Sequence, residues 1–323
     1  MANLTDSKNG DTFVFVIPIR NPWDDKVSDY NCIEEVLKKT VESLYSQTYS
    51  DTFTVIVCHK VPSWPQKFGD KVTFLNVSHI PIFPPNRNQV KVDKGLKYII
   101  GSLYARTILD PKFIMLMDAD DYVNINLASS LINKYESQKT NVDGYLIKKG
   151  IHVDLEINPD YTIHYKNAYL VQKFNQSCGT CRIFKTESLI QKIQGIDPEI
   201  EAKFSHWPDK AIDSSIDVTC EPVTWLNEAT QSNYLNEDSI VNILGRHIKQ
   251  GQYFNFSPLS IVGAAKGCGH GNHDGPRQGK AHQDKVIKKF PIKKFYEDFG
   301  ITEDIKQHTA ERKSNFWKQL WRS

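Results

Sequence analysis

Apolar positions along the first 120 or so residues alternate between short unbroken runs and helical stripes. Thr12 to Ile19 (TFVFVIPI) is apolar, β-branched and aromatic and closes on Pro18 and Arg20, the pattern of a strand buried on both faces, which favours a parallel sheet. After a polar loop, Cys32 to Tyr49 carries Ile33, Val36, Leu37, Val41, Leu44 and Tyr45 at helical spacing, and Phe53 to Cys58 (FTVIVC) reads as a second buried strand. The three together predict one βαβ unit. Val72 to Val77 predicts a third strand, followed by a proline-rich loop at Ile80 to Pro85 that cannot be sheet interior. A helix from about Val92 to Ile108 presents Leu96, Ile99, Ile100, Leu103 and Tyr104 on one face and leads into the most apolar strand, Phe113 to Met117.

That alternation predicts an α/β fold with an open, doubly wound sheet and ligands bound beyond the carboxyl ends of the strands. Further on, Asn126 to Tyr135 reads as helix, Gly144 to Lys148 as extended, and Tyr165 to Lys185 as strand broken at Cys178 to Cys181. Gln194 to Ser232 shows little period, Asp238 to Ile248 predicts a helix, and Gly263 to Gly279 reads as a glycine-rich loop. No repeat or low-complexity segment interrupts the chain. No linker separates the second half, so it is expected to pack on the first.

Composition narrows the picture. The 323 residues are 40% hydrophobic and 24% charged, enough for a buried core and unlike a disordered chain. No run approaches the roughly 18 to 20 apolar residues of a membrane helix, and MANLTDSKNGD lacks the basic and then apolar pattern of a signal peptide. A soluble, cytoplasmic protein is the expectation. Six cysteines in this length are too sparse for a disulfide scaffold, and Cys178-x-x-Cys181 has no second half, which favours packing around a turn over zinc or redox use. A net charge of +2 argues against a nucleic-acid binder. From Lys285 onward, however, ten Lys or Arg face five acids.

The candidate chemistry begins at Asp118-Ala119-Asp120-Asp121, directly after the Phe113 to Met117 strand. Carboxylates at i and i+2 at the mouth of a parallel strand can converge on one hard divalent cation that keeps positions open for phosphate oxygens. An acidic turn or helix cap before Asn126 is the plainer reading. Glu237-Asp238 opens a predicted helix, where the dipole and free N–H groups would hold a carboxylate in place as a base or simply as a cap. Gly267 to Gly275 (GCGHGNHDG) offers His270 and His273 among glycines that permit close approach to phosphate. Zinc on Cys268 with these histidines lacks a fourth ligand.

From about Thr12 to about Asp274 the chain resembles family 2 glycosyltransferases, bacterial enzymes with the nucleotide-sugar-binding GT-A fold. FVFVIPIR, SLYSQTY (Ser43 to Tyr49), IMLMDADD and Asn236-Glu237-Asp238 carry the resemblance, and Asp93-Lys94-Gly95, Asp143-Gly144-Tyr145 and the CGT at 178 to 180 narrow it to a bacterial subgroup. It implies a Rossmann-like, doubly wound mixed sheet with a C-terminal acceptor-binding region and a helical tail. It divides the chain into a nucleotide-sugar-binding half (1–125), an acceptor-binding and catalytic half of the same domain (126–280) and a basic tail (281–323).

The implied activity is transfer of a sugar from a nucleoside diphosphate donor to an acceptor hydroxyl, with Mn²⁺ or Mg²⁺ as cofactor. Asp120 is then the first metal ligand, Asp118 lies nearer the ribose or the metal, and His270 or His273 reaches the metal or diphosphate. Asp238, or else Glu237, is the base of an inverting reaction, with Asp209, Asp213 and Asp217 in reserve. Pro18, Arg20, Lys94, Asp118 and Ala119 contact the nucleotide sugar, Lys94 through phosphate unless it pairs with Asp93 instead. The family places an acid after the second strand to grip the base. This chain has Cys58-His59-Lys60 there, so UDP is a default.

Acceptor recognition, of a glycan or a lipid-linked sugar, is expected within Tyr145 to Trp225. The tail SNFWKQLWRS sets Phe316, Trp317, Leu320 and Trp321 on one helix face with basic residues outside it, suited to an anionic membrane surface or to docking on the domain. The expected function is a hexosyltransferase-type enzyme in surface polysaccharide or glycolipid synthesis. A nucleotidyltransferase would show a glycine-rich basic loop after the first strand, where this chain has RNPWDD. A non-catalytic glycan-binding relative is the other alternative.

Overall fold

The computed structural model describes residues 11–22, 27, 29–78, 87–138, 141–196, 198–203, 215–217, 239–245, 247–268 and 286–302. In chain order these form β1 (Phe13–Pro18), α1 (Tyr30–Tyr45), β2 (Thr52–Cys58), β3 (Val72–Asn76), α2 (Arg87–Tyr104), β4 (Phe113–Leu116), β5 (Asp121–Val123) and α3 (Leu127–Ser137). There follow β6 (Gly144–Ile157), β7 (Ile163–Gln172), β8 (Arg182–Lys185), α4 (Thr186–Ile193), α5 (Ile200–Lys203), β9 (Ser215–Asp217), α6 (Ile240–Gly245), α7 (His247–Tyr253), β10 (Phe256–Cys268), β11 (Val286–Phe290) and α8 (Ile292–Phe299).

Among the described residues one mixed sheet runs β11-β7-β6-β8-β4-β1-β2-β3-β9, with β10 joining β6 and β5 beside it. The stretch from β4 to β9 is parallel throughout; the apolar runs predicted this for β1, β2, β3 and β4, whereas β9 falls in the stretch read as having little period. At β8 the direction reverses, because β8 inserts antiparallel between β4 and β6.

β1 is buried along its whole length, and its alternation sorts its side chains into two cores. Phe13, Phe15 and Ile17 pack with Leu37, Val41 and Leu44 of α1 and with Leu127 and Leu131 of α3. Val14 and Val16 pack with Leu96, Ile99 and Leu103 of α2, Leu189 and Ile193 of α4, and Val241 and Leu244 of α6. Helices therefore cover both faces of the parallel strands.

Several boundaries differ from the sequence reading, each for a local reason. α1 stops at Tyr45 instead of reaching Tyr49: the Gln47 N–H drops back to the Leu44 carbonyl, three residues behind, and the Ser46 hydroxyl takes the Glu42 carbonyl. The helix expected to run to Ile108 ends as α2 at Tyr104, continues as a π turn at Ala105–Leu109 and stops at Asp110, whose φ of 43° is left-handed. Tyr165 to Lys185 is two strands, broken from Lys173 onward by a 3-10 turn at Phe174–Gln176.

Gly263 to Cys268, read as loop, is the second half of β10. Its glycines are there because a Cβ at Gly263 would meet Ile147 Cδ1 at 2.9 Å and one at Gly267 would meet the Asp120 carbonyl at 2.5 Å. Within the 281–323 segment, β11 likewise belongs to the sheet: it pairs with β7, and Phe290, Phe295 and Phe299 pack with Tyr122 and Tyr165. The SNFWKQLWRS segment and the Ile80 to Pro85 loop lie outside the described residues. No described helix is long and apolar enough to cross a membrane.

Candidate active site

β4 ends at Leu116, and the chain turns through Met117 to Asp120 before entering β5. One ligand oxygen from each of Asp118, Asp120 and Asp121 lies within 4.8 Å of the others. A hard cation with oxygen ligands about 2.0–2.6 Å away spans oxygens up to about 5 Å apart, so this donor set fits Mg²⁺ or Mn²⁺. Asp118 and Asp120 are half-buried, whereas Asp121 is buried at 1% exposure.

Four elements hold the turn. Thr40 of α1 donates to the Ala119 carbonyl at 2.9 Å. Lys94 of α2 pairs with Asp118 Oδ1, and Tyr98, one turn further along α2, donates to the same oxygen at 3.4 Å. The loop before β8 supplies Thr180, which accepts the Asp118 N–H at 2.8 Å and donates to Asp121 Oδ2 at 2.5 Å, and Cys178, whose Sγ donates to the same oxygen at 3.1 Å. Gly267 of β10 donates its N–H to the Asp120 carbonyl at 3.2 Å.

The electrostatics follow from this packing. Burial pushes the Asp121 carboxyl well above the usual carboxylate range, and the charges of Asp120 and Asp118 push it further. Burial works against the Lys94 ammonium, but Asp118, Asp120 and Asp121 outweigh it and hold the group above the ordinary lysine range. Lys266 of β10 sits opposite Asp121 in register, so its side chain lies on the same face, and it donates to the Ser177 carbonyl at 3.1 Å. Its ammonium is also opposed by burial and raised on balance, by Cys178, Asp121, Asp120 and Cys268. Two cations thus act on the three acids, Lys94 from α2 and Lys266 from β10.

Each residue of Asp93-Lys94-Gly95 has its own partner. Asp93 does not take Lys94; it holds Lys97, four residues on, at 2.7 Å. Lys97 is fully buried and also donates to the Ile19 carbonyl at 2.7 Å, fixing the chain just past Pro18 and next to Arg20. Gly95 receives α6: a Cβ there would stand 2.1 Å from the Val241 carbonyl, and one at Gly245 would stand 2.1 Å from the Lys91 carbonyl. α6 therefore enters beside Lys94.

Of the residues predicted from sequence, the structure brings Lys94, Asp118, Ala119 and Asp120 together and puts Pro18 and Arg20 at the end of the neighbouring strand β1. Glu237, Asp238, His270, His273, Asp209 and Asp213 lie outside the described residues. Asp217 lies on β9, four strands from β4, about 19 Å away at the usual strand spacing. Sequence reasoning missed Thr180, Gly179, Tyr98 and Lys266. A lone lysine within the small-residue run GAAKGC was the available signal for Lys266, and the CGT at 178 to 180 marked Thr180 as part of a motif without giving it a role.

No protein-family model matches the chain, and no curated protein matches it. Solved structures similar to it are those of S. aureus TarS. TarS 1-349 in complex with UDP is 11% identical at a TM-score of 0.41, over 79% of this chain and 60% of that one. TarS 1-349 in complex with UDP-GlcNAc is 15% identical at 0.38, over 88% and 64%. Mannose-6-phosphate isomerase from Helicobacter pylori is 12% identical at 0.33, over 68% and 88%. The chain thus spans less than two thirds of the TarS chains it matches. At these scores the likeness carries no functional argument, which rests on the acid turn.

Proposed function

We propose that this protein is a metal-dependent glycosyltransferase of the GT-A type, moving a sugar from a nucleoside diphosphate sugar, UDP by default, to an acceptor hydroxyl with inversion. The observation that carries the reading is the convergence of Asp118, Asp120 and Asp121 at the carboxyl end of β4, with Lys94 and Lys266 acting on them. That is where an open parallel sheet presents a ligand, and the carboxylates there would hold a divalent cation. A bound Mn²⁺ or Mg²⁺ would supply charge neutralisation on the leaving diphosphate.

The chain's own residues do the rest. Asp120 and Asp118 would hold the metal, and Lys94 would contact a phosphate oxygen. The Pro18 to Arg20 segment, anchored by Lys97, forms the nucleotide side of the cleft. Asp238, with Glu237 beside it in sequence, takes the acceptor proton, a role supported by the match of Asn236-Glu237-Asp238 to the acidic pair of the family it resembles. His270 or His273 adds a metal or phosphate contact. Residues 1–125 bind the donor and 126–280 bind the acceptor, a glycan or lipid-linked sugar of surface polysaccharide or glycolipid synthesis. The basic tail within 281–323 contacts the cytoplasmic face of a membrane.

The test is donor turnover. Purified full-length protein is incubated with single nucleotide sugars and Mn²⁺, and release of the nucleoside diphosphate is followed with and without EDTA. Metal-dependent release that disappears in Asp120→Ala supports the reading. Release that survives Asp120→Ala or EDTA contradicts it.

A further inference from the structure

The loop from Ser177 to Cys181 spends an unusual share of its polar groups on the acid turn rather than on itself. Thr180 is fully buried, and its one hydroxyl makes two bonds of opposite sense, accepting the N–H of Asp118 at 2.8 Å and donating to Oδ2 of Asp121 at 2.5 Å. The hydroxyl therefore ties the first residue of the turn to the carboxylate that closes it. Gly179, next to it, lies so close to Asp118 that a Cβ would stand 2.7 Å from Oδ2. Asp121 Oδ2 is already occupied by Thr180 and Cys178, while its Oδ1 is buried with no hydrogen-bond partner among the described residues. Oδ2 of the third acid is thus tied to the loop, while Asp118 and Asp120 are half-buried.

We infer that Thr180 is a positioning residue of the metal site, whose hydroxyl holds the backbone of Asp118 and the carboxylate of Asp121 and, through both ends of the turn, the placement of Asp120. The inference rests on the metal-binding reading of the acid turn and adds a residue to it that touches neither metal nor substrate. Partners that orient a ligand from behind typically change metal affinity about 10- to 100-fold when removed. A threonine that only filled space would leave affinity alone when replaced by valine, which has the same shape without the hydroxyl.

The experiment is Mn²⁺ titration of the full chain, free Mn²⁺ being read by electron paramagnetic resonance, at a temperature where circular dichroism shows each variant folded. Thr180→Val is expected to weaken Mn²⁺ binding about tenfold or more, and Thr180→Ser to stay close to the unmodified protein. Equal affinity in Thr180→Val and the unmodified protein overturns the inference, whatever the change in melting point. Should Thr180→Val not fold, Thr180→Cys replaces it. Its S–H is a weak donor and acceptor, so it must bind more weakly than Thr180→Ser, and equality of those two overturns the inference. Asp120→Asn separates the two levels. If the unmodified protein binds no Mn²⁺, or Asp120→Asn binds it unchanged, the metal reading itself fails and takes this inference with it.

Discussion

Lys94 reaches from α2 to the carboxylate of Asp118 just past the end of β4, so a cation already sits against the acid turn. Both side chains keep about a quarter of their surface exposed, 26% and 27%. A pair this accessible contributes on the order of 0–1 kcal/mol to folding. Its value is for binding. Lys94→Met should therefore leave the urea midpoint nearly unchanged while weakening nucleotide-sugar binding about tenfold or more, the scale of a lost charge-assisted hydrogen bond. Isothermal titration with the donor checks this, and unchanged donor affinity would remove Lys94 from the site.

Gly179 makes a complementary test, because what a new Cβ would meet is the end of a side chain and not backbone. In Gly179→Ala the Asp118 carboxylate has to swing away from its 2.7 Å approach. Folding should be little affected, and Mn²⁺ affinity should drop by about an order of magnitude. Loss of stability with intact Mn²⁺ binding would show that the loop matters for packing alone.

Gly95 predicts the opposite balance. A Cβ at this position would stand 2.1 Å from the backbone carbonyl of Val241, which cannot swing aside without moving α6. Overpacking of this kind costs about 1–3 kcal/mol or more. Gly95→Ala and Gly245→Ala should each destabilise the protein in urea denaturation, and the double variant should lose less than the sum, since both act on one helix contact. Neutral single variants would contradict the close α2–α6 crossing.

The cysteines give a prediction about reactivity. Burial pushes the Cys181 thiol up to about 12 and the Cys268 thiol up to about 12. Cys178 is raised too, by burial and then by Asp121. A raised thiol stays neutral and unreactive until the pH climbs toward its new value. Among the described cysteines, Cys32 is the one not fully buried. Mass-mapped alkylation at pH 8 should label Cys32 in the native protein and reach Cys58, Cys178, Cys181 and Cys268 only after denaturant. Early labelling of Cys178 would mean that the loop behind the acid turn opens readily.

How far the molecule could be read from its sequence depended on whether burial was two-sided and local. β1, β2 and β4 are flanked by strands and covered by helices, so each is an unbroken apolar run, and the acid turn stands out where the last of them stops. β6 was harder to see. It runs from Gly144 to Ile157, but Lys148, Lys149 and Gly150 break its pattern, because Gly150 must pass against the Phe174 ring. β10 was misread as loop from Gly263 onward for the same reason: its glycines answer to neighbours distant in sequence. The roles of Thr180, noted only within the CGT motif, and of Lys266 were hidden for a related cause, since both meet the acid turn only through strand order, 59 residues apart in the case of Thr180 and Asp121. Lys97 shows the limit most plainly. Its ammonium is fully buried, and only the fold reveals that Asp93 and the Ile19 carbonyl are what it serves.

The most direct test of a metal-dependent donor site is the melting point of the purified protein with UDP-, GDP-, CMP- and dTDP-sugars, each in Mn²⁺ and in EDTA. A ligand that binds only the native state raises the midpoint, so one nucleotide class should do so in Mn²⁺, lose the effect in EDTA, and lose it again in Asp120→Ala. A flat response to every nucleotide sugar in Mn²⁺, or a rise that EDTA and Asp120→Ala leave intact, would contradict the account.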